Sequence, residues 1–124
     1  MRAKDRIAVI QLFDLLEARY ALRVIWALSD GHPQTFRLLQ DSVGGVTPNT
    51  LNTRLKQLRA ARLVDHGGDG YRLTSQGTDL ARRLVEVQQF APKWVQRQNR
   101  LAALPRSAAS DSSLQSTAQP LSAA

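Results

Sequence analysis

GGVTPNTLNTRLKQLRAARLV, residues 44–64, opens on two glycines and sets Thr47 and Pro48 ahead of a leucine ladder whose gaps hold small amides, hydroxyls and bases. The spacing predicts a helix over residues 47–61. Thr47 suits the N-cap, where a hydroxyl accepts a hydrogen bond from the first free amides, and Pro48 suits the first turn, where its missing N–H costs nothing. At about 100° per residue, Leu51, Leu55 and Leu58 fall on one side, while Asn49, Asn52, Thr53 and Lys56 gather on the other. The leucines anchor the helix and the polar face is presented. No acid occurs from Thr47 to Arg62, whereas an ordinary solvated face mixes Glu with Lys in stabilising pairs. A major groove about 12 Å wide admits a helix whose leading side chains are short and can exchange hydrogen bonds with base edges. Asn, Thr and a single Lys meet that requirement.

Working outward, TFRLLQDSV at residues 35–43 puts Phe36, Leu39 and Val43 on one face of a short helix, and Gly44-Gly45 supplies the backbone for a tight turn out of it. Earlier, Ile10, Phe13, Leu16, Leu22, Ile25 and Leu28 recur at helical spacing. One long or two consecutive amphipathic helices are expected between Ile7 and Leu28, stopped by Gly31 and Pro33. Downstream, LVDHGGDGYRLT reads as two short strands, Leu63–His66 and Tyr71–Thr74, joined by Gly67, Gly68, Asp69 and Gly70. Those glycines lack the strand-to-helix setting of a phosphate cradle, so no nucleotide site is inferred. From Ser75, Leu80, Leu84, Val87, Ala91 and Trp94 recur at spacings of four and three, as in a helix packing along a seam. Pro92 is expected to kink that helix or to begin a new segment. Tyr20, Trp26 and Phe36 are expected in the core rather than stacked on a ligand. The Ser- and Ala-rich residues 105–124 have no usable periodicity and are expected to form a disordered tail. Residues 1–104 are then one domain, mostly α with a small β-hairpin (α+β). Helices, short helix, glycine turn, helix, hairpin and long helix make the winged helix-turn-helix arrangement.

Composition sets the partner class. A chain of 124 residues with 43% hydrophobic content supports one core and not two. Seventeen Lys and Arg against ten Asp and Glu give +7 and a pI near 11.0, which suits a polyanion, either nucleic acid or an anionic membrane surface. No apolar run reaches the roughly 18 residues needed to span a bilayer, and MRAKDRIAVIQLFD is broken by charge before it could act as a signal peptide. No membrane partner is expected, and the cytoplasm is the default location. With no cysteine and only His32 and His66, neither a metal nor a cofactor is expected. His66, between Asp65 and Asp69, reads as an ordinary wing residue. No serine, histidine and acid combination forms a catalytic set, so an enzyme is not expected.

On these grounds the chain reads as a double-stranded DNA binder. Pro48, Asn49, Asn52 and Thr53 are the base-reading candidates. Arg37, Thr47, Arg54, Lys56 and Arg72 are the phosphate-contacting candidates, each weighed against the plainer reading of a solvated surface residue. Three rivals are a winged-helix module that binds proteins, a non-specific architectural DNA binder, and a small enzyme or ligand-sequestering protein with a pocket between the long helices. The acidic wing tip favours the first. The near absence of polar groups in the apolar stripes counts against the last.

LLEARYALRVIWAL, residues 15–28, resembles the first segment of the HxlR-type winged-helix transcriptional regulators, with Arg19-Tyr20 in place of the more usual Lys-Trp pair. TFRLLQDSVGGVTPNTLNTRLKQLRAARLV is similar in spacing to that family's helix-turn-helix, with Phe36, Leu39, Val43, Gly45, Val46, Leu51, Leu55, Leu58 and Leu63-Val64 in register. YRLTSQG resembles the end of the wing and the start of the last helix, through Tyr71, Leu73, Thr74 and Gly77. The likeness covers roughly residues 10–95. It implies a dimeric, operator-binding repressor or activator whose dimer is built largely from the first and last helices. Phe13, Leu16, Leu80, Leu84, Val87 and Trp94 are the interface candidates, and the homodimer would bind a roughly palindromic operator. The family's usual longer wing, with a proline and a basic residue, is here HGGDGY, so deep minor-groove insertion is not expected. Where the family commonly has Gly before the Leu-Val pair, this chain has Arg62. A non-Gly residue at positive φ costs on the order of 1 kcal/mol, which admits a different end for the helix. Some members sense electrophiles through a cysteine near the N-terminus, and this chain has none. A small-molecule effector, of unknown identity, would act by another chemistry.

Overall fold

Leu51, Leu55 and Leu58 form the floor of the core, and the elements around them are placed by what they lay on that floor. The computed structural model describes residues 1–104. Within residues 1–84, two consecutive helices come first, α1 (Ala3–Leu16) and α2 (Ala21–Ala27). The short α3 (Phe36–Val43) and then α4 (Pro48–Ala60) follow. The antiparallel pair β1 (Val64–Gly67) and β2 (Gly70–Leu73) comes next, and α5 (Ser75–Arg83) ends this unit. α2 contributes Val24, Ile25 and Leu28, α3 contributes Leu39 and Val43, and Val46, Leu63, Val64, Tyr71 and Ala81 close the sides. Fully burying one such leucine or isoleucine is worth about 1.5–3 kcal/mol, so this single cluster accounts for the helix-turn-helix holding its shape.

Most expected elements are found within one or two residues of their expected ends. The hairpin register pairs Val64 with Leu73, Asp65 with Arg72, His66 with Tyr71 and Gly67 with Gly70, leaving Gly68 and Asp69 as the turn. Gln34 adds a one-residue third arm, exchanging backbone hydrogen bonds with Tyr71 at 2.9 and 2.7 Å. Tyr20 and Phe36 pack against the core as expected, but Trp26 does not: it is 62% exposed. The buried residues of α2 are Ala21, Val24 and Ile25, followed by Leu28. Trp26 lies about 100° or more around the helix from each of these, so burying the stripe turns the indole out.

Two junctions differ from the sequence reading. The different ending admitted by Arg62 is not taken, for Arg62 does adopt the left-handed conformation at φ 61. Its N–H donates to the Arg59 carbonyl at 2.9 Å and the Leu63 N–H to the Leu58 carbonyl at 3.0 Å. This is the Schellman pairing, which satisfies the last free carbonyls and offsets the steric cost. The seam expected from Ser75 onward is not one helix. It breaks at Leu84, whose N–H donates to the Leu80 and Ala81 carbonyls, and Leu84 packs against the core. Pro92 neither starts a segment nor ends one, since it lies inside α6 (Val85–Ala102). α6 begins a second unit and buries none of its residues. Water can therefore take the carbonyl that Pro92 leaves without a donor. The residues 105–124 expected to be a disordered tail lie outside the described residues.

Thr74 joins the wing to α5. Its hydroxyl donates to the Arg62 carbonyl at 2.6 Å and accepts from the Gly77 N–H at 3.1 Å. One side chain thus fastens the end of α4 to the start of α5. Gly77 is required there, because a Cβ would collide with the Leu63 carbonyl oxygen.

Candidate nucleic-acid interface

The presented face of α4 is set from its N-terminus. Gly44 and Gly45 take φ 75 and 68, positive values that glycine enters freely and that let the chain turn between α3 and α4. The Gln40 Nε2 holds the turn through the Val46 carbonyl at 3.1 Å. Thr47 then caps α4, its Oγ1 accepting from the Thr50 N–H at 3.3 Å and donating to the Thr50 Oγ1 at 3.0 Å. Pro48 follows in the first turn.

With Leu51, Leu55 and Leu58 turned inward, Asn49, Asn52, Thr53 and Lys56 are all exposed. The structure therefore brings the base-reading candidates together with Lys56 on one solvent-facing surface. Thr53 donates its hydroxyl to the Asn49 carbonyl at 3.0 Å, so what it presents outward is a methyl group and an acceptor oxygen. That combination suits a thymine methyl or a base amino group. Thr47 and Pro48 are exposed at the leading end of the same helix, and Arg37 is exposed in the first turn of α3.

Two of the phosphate candidates have other attachments. Arg54 is half-buried on the flank of α4. Its Nε donates to the Arg19 carbonyl at 2.6 Å and its Nη1 to the Gln57 Oε1 at 2.7 Å. Arg54 thus ties α4 to the link between α1 and α2, while its remaining N–H groups stay free for a phosphate. Arg72, on β2, hydrogen-bonds Asp69 at the wing tip. The guanidinium holds the Asp69 carboxyl below its usual range, so the pair is complete at neutral pH and is lost only as pH falls through that lowered value. Asp69 therefore offsets much of the charge that Arg72 would offer a phosphate.

Two contacts in this region have no forecast in the sequence reading. His66 stacks face to face on Tyr71, with centroids 4.0 Å apart and planes 2° from parallel. The strand alternation held the signal, since register makes these residues direct partners. Tyr20 donates its hydroxyl to the Gly45 carbonyl at 3.1 Å. The Arg19-Tyr20 pair was visible, but the separation of 25 positions between Tyr20 and Gly45 hides this link from any local pattern.

Of the six interface candidates, Leu16, Leu80 and Leu84 pack against the hydrophobic core of this chain. Phe13 is 59% exposed on α1, and Val87 and Trp94 are 62% and 39% exposed on α6. Ile7, Ile10, Phe90 and Val95 add exposed apolar side chains on the same two helices. No described helix is long and apolar enough to cross a membrane.

Several solved structures are similar to this chain. The quinone-bound YodB from B. subtilis shares 28% identity at a TM-score of 0.63, over 69% of this chain and 97% of that one. The diamide-treated YodB from the same organism shares 25% at 0.54, over 75% and 94%. A MarR family protein of Mycobacterium tuberculosis, Rv2887, shares 22% at 0.53, over 94% and 86%, a likeness of fold alone. No curated protein matches the chain. Residues 15–99 match the family model for the HxlR-like helix-turn-helix, a span running from the end of α1 through the winged helix-turn-helix and most of α6. The chain therefore belongs to the HxlR-like helix-turn-helix family of DNA-binding transcription regulators.

Proposed function

We propose that this regulator is sequence-specific and acts as a homodimer on a roughly palindromic stretch of double-stranded DNA. The observation that carries the reading is the face of α4: an acid-free row of exposed Asn49, Asn52, Thr53 and Lys56, rigidly capped and leucine-anchored. Such a face donates and accepts hydrogen bonds at base edges without repelling phosphates. In this reading Pro48, Asn49, Asn52 and Thr53 read bases. Arg37, Thr47, Lys56 and the free N–H groups of Arg54 contact phosphates, and Arg72 contributes less because Asp69 offsets it. Asp69 no longer favours a protein-binding module, since its carboxylate is engaged by Arg72 within the wing.

The homodimer draws support from the exposed Phe13 of α1 and the exposed Val87, Phe90 and Trp94 of α6. On α6 the spacing of Val87, Phe90 and Trp94 puts the three on one helix face, and an exposed apolar face of this kind marks an interaction surface. A two-fold dimer would place half-sites about one helical turn, roughly 34 Å, or a multiple of it, apart. An effector, if the regulator uses one, works without thiol chemistry because the chain has no cysteine.

Selection of bound sequences from a random double-stranded pool at about 150 mM salt tests the reading, since counterion-driven binding is much reduced there. A recovered symmetric motif is expected. Recovery of no motif by a folded dimer, with and without cell extract, would leave the architectural or protein-binding reading in its place.

A further inference from the structure

Beside the α3–α4 turn, the Tyr20 ring carries two guanidinium groups, with Arg19 Cζ 4.9 Å and Arg23 Cζ 5.5 Å from its centroid. Both distances fall within cation–π range. The ring itself is fixed. It packs against the core, and its hydroxyl donates to the Gly45 carbonyl, three residues before α4 begins. Tyr20 takes φ 75, one of only two non-glycine residues among the described residues with positive φ. The Arg19 carbonyl, in turn, receives the Arg54 Nε of α4. The cluster is therefore attached both to the turn ahead of the recognition helix and to the helix's own flank.

The two arginines are also unspent. The three ion pairs among the described residues are His32–Asp30, Arg72–Asp69 and Arg83–Asp79, so no carboxylate neutralises Arg19 or Arg23. Both side chains are exposed. A guanidinium stacked on an aromatic face keeps its in-plane N–H donors free, and stacking limits the rotamer freedom that would be lost on binding. Each guanidinium presents a planar fork of N–H donors that matches phosphate oxygens.

We propose that Arg19 and Arg23, held on Tyr20, form a second phosphate-binding point that grips the DNA backbone beside the recognition helix. The inference rests on the DNA-binding reading above and adds to it two contacts from outside the helix-turn-helix. Phosphate contacts fix register and carry no sequence information. The pair sets where α4 sits along the groove, while Asn49 and Asn52 read the bases. It also compensates for the wing, where Asp69 offsets Arg72.

The test measures affinity of the full chain for its selected operator and for random DNA across a salt series. The variants are Arg19→Gln, Arg23→Gln, the double Gln variant and the double Lys variant. Only the Arg19 carbonyl, not its side chain, serves the bond to Arg54, so that bond survives substitution. Each Gln change is expected to reduce the slope of log affinity against log salt by about 0.9 and to weaken operator and random DNA by the same factor. The double Lys variant, keeping both charges, should retain the wild-type slope, which separates loss of charge from loss of structure, and the two single Gln variants decide the matter should the double Gln variant fold poorly. Wild-type slope and affinity in the double Gln variant would overturn the inference and leave the DNA reading standing. So would a folded double Lys variant that loses the slope despite its charge. Absence of DNA binding by the wild-type chain would be the separate failure of the reading itself, and would take the inference with it.

Discussion

α4 and α6 are built from similar materials, apolar residues interleaved with Asn, Gln, Lys and Arg, yet they end in opposite states. α4 has three large apolar residues and buries all of them. α6 has Val85, Val87, Phe90, Trp94, Val95 and Leu101, more apolar bulk in one helix than α4 carries, and buries none. Most helical stability in a protein comes from packing an amphipathic face rather than from intrinsic propensity. α4 therefore owes its rigidity to the core of its own chain, which is what the base-reading role proposed for it needs. α6 carries a face whose cover has to come from elsewhere, and in the proposed function that cover is a second copy of the chain.

The comparison breaks first at Leu55. Truncation to Ala at this wholly enclosed site should cost about 2–5 kcal/mol, seen as a lower denaturant midpoint at unchanged slope. A loss below about 1 kcal/mol would mean that the leucine floor is not what holds α4. On α6 the same kind of truncation should act on association instead. Trp94→Ala or Phe90→Ala, removing an aromatic anchor, should weaken the dimer by about 2 kcal/mol, or roughly thirtyfold in dissociation constant, by sedimentation equilibrium. An unchanged dimer would place the interface elsewhere.

The two sides of α4 can be separated in the same way. Asn52 is exposed, so with Asn52→Ala stability should stay within about 0.5 kcal/mol. Its preference for operator over random DNA should drop by about 1–3 kcal/mol, with the salt slope intact. Arg54→Ala, on the flank, should do the reverse, weakening both kinds of DNA and reducing the salt slope by about one. The structure adds a stability loss for that variant, because the ties to Arg19 and Gln57 go with it. An Asn52→Ala variant with an unaltered specificity ratio would remove the base-reading assignment.

These contrasts also show which features a sequence exposes. The N-cap at Thr47, the leucine stripe and the glycine turn are local, decided by residues three or four apart, and all were readable in residues 44–58. The hairpin was readable too, because its turn glycines fix the pairing within a residue. Trp26 was misplaced because its bulk suggests the core, while the rotation of α2 is set by its smaller neighbours Ala21, Val24 and Ile25. The break at Leu84 was missed because Pro92 is the conspicuous helix breaker and Leu84 carries no mark of one. On the interface, the exposed carboxamides followed from periodicity. The Arg54 tie to Arg19, spanning 35 residues, and the Tyr20 bond to Gly45 follow only from the fold.

The finest distinction lies at the two ends of α4. At the N-terminus Thr47 and Pro48 are the residues that position favours, so little stability is left to gain there. At the C-terminus Arg62 sits at φ 61, where glycine is the favoured residue. Its Schellman hydrogen bonds come from the backbone and would persist in any residue that accepts that conformation. Arg62→Gly should therefore relieve the Cβ contact, and loses part of that gain because glycine has more freedom in the unfolded chain. The net is a stabilisation of up to about 1 kcal/mol, seen as a higher denaturant midpoint. Arg62→Asn should recover less, and Arg62→Val should lose stability, since a β-branched residue tolerates positive φ worst. A destabilised Arg62→Gly variant would show instead that the arginine side chain itself holds the end of the helix.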